Sequence, residues 1–150
     1  MEPFCTEYLE VLKTLHRDFI KAFDGLPDEA LDWIPGEEMN SLCVLVVHTT
    51  GSTRWWIGIA LGDPPERNRD LEFQANGLRV AELQARFATL EEYAQNGLER
   101  FSLADMATTH SVPNRGDWRV SSAWALLHAL EHIGLHLGHA QITRQLWEQR

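Results

Sequence analysis

Four histidines, His128, His132, His136 and His139, fall within three turns of one another near the C-terminal end of the chain. Imidazole offers a nitrogen lone pair near neutral pH, which makes it a base, a proton carrier or a metal ligand. On a helix, residues four apart project from one face, one turn above the other. Such a pair can present two imidazoles to one ion at about 2.0–2.1 Å each. By spacing, His128/His132 and His132/His136 both qualify. All four cannot serve one ion, because a helix rises about 1.5 Å per residue. The segment around them, Trp124 to Leu137, is otherwise strongly apolar. Neutral imidazoles buried there without partners cost free energy, and a metal ion is the economical partner.

A catalytic or structural ion needs at least one more protein ligand. His16, His48 and His110 are the candidates. His16 sits between Leu15 and Arg17, on the expected flank of a first helix. His110 lies in an expected loop among Thr108, Thr109 and Ser111. His48 follows the apolar run Leu42–Val47 near the inward stripe marked by Leu45 and Ser52, the most conspicuous polar intruder in its helix, which makes it the third expected ligand.

The elements that must position these groups are helices. Four long segments space apolar residues by three and four, the period of a buried helix face. The first runs through Tyr8, Leu12, Leu15, Phe19 and Phe23, with Gly25 placed to end it. A short helical turn is expected over 26–33, closed by Pro35 and Gly36. The second long helix opens at Asn40 or Ser41, both good caps. Its stretch Cys43–Val47 is rich in β-branched residues and resembles a strand, yet the apolar positions do not alternate and the proline-free run is too long for one. The third helix is expected from Val80 to Leu103, and the fourth from Ser121 or Ser122 almost to the end. Irregular connections are expected over 62–78 and 108–117. The expectation is an all-α, up-down four-helix bundle, a single domain over residues 1–150, with long loops after helices two and three. The fourth helix is apolar on more than one side, which points to a homodimer.

Composition narrows the functional classes. The chain has 150 residues and a formal net charge of -9, so a nucleic-acid partner is disfavoured. Cys5 and Cys43 are too few for a disulfide framework. No apolar run is long enough to cross a bilayer, and residues 1–10 do not read as a signal peptide. The expected setting is cytoplasmic, with a small-molecule substrate and no membrane.

Several of these residues carry a family resemblance. Leu31-Asp32-Trp33-Ile34-Pro35, Asn40-Ser41, Leu45, His48 and Trp55-Trp56 at the front, and His132-Ile133-Gly134-Leu135-His136-Leu137-Gly138-His139 at the back, resemble the DinB family of bacterial metal-binding four-helix bundles. The chain departs from the family's HxxxHxGQ ending at His139, where glutamine is usual. The resemblance implies that the metal ligands are His48, His132 and His136, which selects one of the two helix-four pairs. His128 and His139 are then outer partners, pocket residues or structural. The candidates for a catalytic base or donor are His128, His139 and Glu131, the last projecting about 100° from His132.

Three imidazoles leave a coordination position open, the layout of a catalytic site. Zinc and nickel both suit such ligands. The resemblance implies an enzyme that activates a low-molecular-weight thiol, such as mycothiol or bacillithiol, for transfer to an electrophile. A metal-dependent hydrolase using metal-bound hydroxide is the alternative, and a non-catalytic metal-binding stress-response protein a third. Arg54, Trp55, Arg115 and Arg119 are the candidates for holding a substrate.

Overall fold

A computed structural model describes all residues 1–150. Four long helices dominate it: α1 (Pro3–Lys21), α3 (Leu42–Ala60), α5 (Val80–Leu98) and α6 (Ser122–Gln149). Between them lie the one-turn helices α2 (Asp28–Asp32) and α4 (Arg69–Glu72), a 3-10 turn at Leu103–Ala107, and a hairpin of β1 (Thr109–Ser111) and β2 (Arg119–Ser121). The two strands pair antiparallel, with His110 opposite Val120. No helix is long and apolar enough to cross a membrane.

The expected helix starts are present. Ser41 Oγ accepts from Val44 N at 3.1 Å and Ser121 Oγ from Trp124 N at 3.1 Å, so each hydroxyl satisfies one otherwise unpaired amide of a first turn. The β-branched run Cys43–Val47 is helical. Burial explains why: in α3 nearly every residue is covered, Arg54 being the exposed exception. Packing on all sides overrides the weak helix preference of valine.

Two expected boundaries shift. The third helix stops at Leu98 and not Leu103, because Phe101 turns back into the core and Asp105 Oδ2 accepts from both the amide and the hydroxyl of Ser102. That cap begins a separate turn. The expected irregular stretch 62–78 carries α4, whose first turn is capped by Asn68 Oδ1 accepting from Leu71 N. Likewise the expected loop 108–117 supplies β1.

The core joins Leu12 and Phe19 of α1, with Phe23 just beyond its end, to Leu45, Ile57 and Ile59 of α3, Leu83, Phe87 and Leu90 of α5, and Leu126 and Ile133 of α6. Helices α1 and α3 each pack against both α5 and α6. Side-chain bonds fix the directions. Arg144, late in α6, donates to the carbonyls of Lys21 and Asp24 at the end of α1, so α1 and α6 run parallel. Ser122, at the start of α6, donates to the Ala60 carbonyl at the end of α3, so these two are antiparallel. Arg54 lies over Tyr93 and a Cβ on Gly97 would strike Leu61, which makes α3 and α5 parallel. The path of this four-helix bundle is up, down, down, up. The long connection after the second long helix permits it: residues 61–79 return along the bundle before α5 starts.

Candidate metal centre

His48 is buried on α3, facing α6. Its Nε2 lies 3.1 Å from His132 Nε2, and His136 Nε2 lies 3.2 Å from the same atom. One ligand atom from each of the three falls within 4.8 Å of the others. The rings meet edge to face, at 63° and 90° between His48 and the two α6 rings, and their nitrogens converge on one point. Ligands bound tetrahedrally at 2.0–2.1 Å sit about 3.3–3.4 Å apart, close to the two short separations. A proton placed among these nitrogens serves one pair and leaves the third without a donor. A divalent cation would be coordinated by all three at once.

Electrostatics keeps the α6 imidazoles neutral. Burial first, then the neighbouring His136, His48, His128 and Arg67, push the His132 pKa down to about 3. Burial, with His48 and His139, pushes His136 down to about 4. Both lone pairs are therefore available at neutral pH, as metal binding requires.

Outer contacts orient the rings unequally. His48 Nδ1–H donates to Glu72 Oε2 at 2.9 Å, and its ring packs on Phe73 with centroids 4.6 Å apart. Arg67 grips the same carboxylate through Nε at 2.6 Å and Nη2 at 2.9 Å. Burial opposes the charge on Glu72, but the hydrogen bonds from Arg67 and His48, with the charge of Arg67, hold its carboxyl below the usual range. A carboxylate behind a ligating imidazole fixes its tautomer and raises its basicity. His136 Nδ1 faces His139 Nδ1 at 3.3 Å. His132 Nδ1 is buried and has no partner.

Glu72 and Arg67 escape a reading of the sequence. They lie in the expected irregular connection over 62–78, and only the Asn68 cap hints at a turn there. The returning crossover carries Glu72 past His48. Gly51, one turn after His48, makes room: a Cβ there would lie 2.6 Å from Glu72 Oε1.

The remaining candidates separate. His128 stacks on Trp124 with centroids 4.7 Å apart and pairs with Glu131 at 3.0 Å. The Glu131 side chain is 76% exposed and turned towards His128, which removes it from the converging nitrogens. His16 is fully buried and not on a flank; its Nδ1 meets Glu91 Oε1 at 2.8 Å. His110 is on a strand, and its Nε2–H donates to Ser122 Oγ at 2.9 Å. Trp55 and Arg115 line one cavity together. Arg54 lies elsewhere, over Tyr93, and Arg119 donates to Thr109 and Ser111 across the hairpin. Of the tryptophans, Trp56 and Trp147 are buried, while Trp118 and Trp124 are more than a third exposed.

An all-α bundle with three inward histidines defines a class, and the comparisons identify the family. The model of the DinB superfamily matches residues 12–140, and the chain belongs to that superfamily. A conserved protein from Enterococcus faecalis superposes with a TM-score of 0.80 at 14% identity, covering 100% of both chains. YfiT from Bacillus subtilis, described as a probable metal-dependent hydrolase with an unusual four-helix bundle topology, superposes with a TM-score of 0.78 at 12% identity. That match covers 97% of this chain and 89% of YfiT. Among curated proteins there is no significant match.

Proposed function

We propose that the chain holds one divalent metal ion, zinc or nickel, through His48, His132 and His136, and acts as a metal-dependent enzyme on a small molecule. The observation that carries this reading is the convergence of three Nε2 atoms, two of them at 3.1 and 3.2 Å from the third. A bound ion supplies a Lewis acid that lowers the pKa of a coordinated water or thiol.

What this chain's residues do around that chemistry favours an external thiol over water. Water activation is helped by a nearby base, and no carboxylate is free for it. Glu72 is saturated by Arg67 and His48, and Glu131 is exposed beside His128. A thiol, with an ordinary pKa of about 8.5, needs less help to lose its proton. The favoured reading is therefore transfer of a low-molecular-weight thiol to an electrophile.

Hydrolysis is the second reading, favoured by the description of YfiT. Cobalt substitution separates the two. A visible spectrum that shifts on adding a low-molecular-weight thiol supports transfer. An unchanged spectrum, with ester or amide cleavage persisting in thiol-free buffer, supports hydrolysis. Metal that is held with no exchangeable position assigns the chain to non-catalytic binding.

The assembly proposed is a homodimer in the cytoplasm. Leu127, Leu135, Ile142 and Leu146 of α6 are exposed, an apolar face suited to a second copy. A monomeric mass by light scattering removes that part.

A further inference from the structure

A cavity of about 760 Å³ lies between the start of the crossover and the tip of the hairpin, lined by Trp55, Arg67, Arg69 and Arg115 among others. Three arginines line one concavity whose only acid is Glu66. The Arg69 guanidinium lies 4.7 Å from the Phe73 centroid and that of Arg115 6.0 Å from the Trp118 centroid, so each rests on a ring with its hydrogen-bonding edge unpaired by a carboxylate. The chain as a whole carries -9, so this is a local reversal of sign. Arg67 is the one of the three with a carboxylate partner; Arg69 and Arg115 take part in no salt bridge. Arg67 spends Nε and Nη2 on Glu72 and leaves Nη1 without a hydrogen bond. The Trp55 ring adds an apolar wall, with the Arg67 guanidinium 5.6 Å from its centroid.

Arginine is the side chain suited to planar recognition of carboxylate and phosphate. Unpaired arginines spread over a surface are solvated and unremarkable. Here they meet at one concave site beside an indole.

We propose that this cavity binds an oxyanion, carboxylate or phosphate, carried by a small organic molecule whose apolar part packs on Trp55. Arg67 joins the cavity to the histidine centre, because the guanidinium that lines it also holds Glu72, which in turn holds His48. An anion that draws on Arg67 changes the charge balance behind His48. The cavity thereby names the substrate or co-substrate class for the activity proposed above, and in that respect rests on it.

The test titrates the full chain with benzoate, phenyl phosphate and neutral benzamide, followed by calorimetry and tryptophan fluorescence. Wild type and the double variant Arg69→Ala/Arg115→Ala are compared, each with zinc and after chelator. Both substituted side chains are exposed, and circular dichroism checks the fold. Benzoate or phenyl phosphate is expected to saturate wild type with and without zinc and to bind the variant at least tenfold more weakly. The tighter of the two identifies the anion, and benzamide is expected not to bind. Equal binding by the variant, equal binding of benzamide, or no binding of either anion overturns the cavity. Binding that vanishes with zinc and ignores the double substitution places the anion on the ion and overturns it too. Arginine-dependent binding in a protein that takes up no zinc keeps the cavity and removes the metal reading. Coupling through Arg67 requires at least a twofold change in zinc affinity when the anion is saturating; an unchanged affinity overturns that link.

Discussion

The molecule contains a buried histidine paired with glutamate twice, His48 with Glu72 and His16 with Glu91. Each histidine is buried, and each Nδ1 meets a carboxylate at 2.9 or 2.8 Å. The far nitrogens differ. His48 Nε2 points at His132, whereas His16 Nε2 has no partner and its ring lies 4.8 Å from that of Phe87, among core aromatics. Burial lowers the His16 pKa against the opposing bond and charge of Glu91, which leaves it a neutral core residue between α1 and α5. A buried His–Glu pair is thus a packing solution in one place and part of the proposed metal centre in the other. What separates them is whether other lone pairs converge on the free nitrogen.

The largest expected contrast comes from removing each histidine. His48→Ala and His136→Ala are each expected to reduce bound zinc from near one per chain to near none by elemental analysis of untagged protein. His16→Ala is expected to retain the zinc while losing about 2–4 kcal/mol of stability, as core truncations do. Zinc lost equally from all three would erase the distinction.

The carboxylates sharpen it next. Glu72→Gln keeps the shape but removes the charge behind His48, and outer-partner losses of this kind cost about 10–100-fold in metal affinity. Glu91→Gln is expected to leave affinity unchanged in a competition titration with a chromogenic chelator. A drop of similar size in both variants would show that the effect is general electrostatics.

Acid probes the imidazoles that converge on His48 more gently. In chelator-treated protein, His132 and His136 stay neutral down to about 3 and 4, while an unfolded histidine protonates near 6.5. Between those values the unfolded chain binds more protons, so stability is full above about pH 6.5 and falls as pH drops towards 4. Urea midpoints should trace this decline, and the decline should shrink in a His132→Phe/His136→Phe variant. A pH-independent midpoint over that window would contradict the burial of neutral imidazoles.

The smallest effect belongs to His139. Its Nδ1 faces His136 Nδ1 from an exposed position, so solvent can replace it. His139→Gln is expected to change zinc affinity by less than about tenfold, below the usual range for an outer partner. A larger loss in the same chelator titration would make His139 as important as Glu72.

Much of this was legible before any coordinates. The spacing of three and four in four segments, with Ser41 and Ser121 as caps, follows from local chemistry: helix period and amide satisfaction depend only on neighbours in sequence. The four-residue spacing of His132 and His136 places both rings on one side of α6 for the same reason, and His48 stood out as a polar group at the end of the apolar run Leu42–Val47. Tertiary structure alone decided the rest. His16 read as a flank residue because burial depends on what packs opposite, here Phe87 and Glu91. Glu72 and Arg67 fell in an expected irregular connection because a local pattern does not encode where the crossover of residues 61–79 passes. That path follows from two parallel helices, α3 and α5, which force the chain to return along the bundle. Its return brings a carboxylate to His48 and a guanidinium to the cavity wall, contacts set by long-range packing and not by any neighbour in sequence.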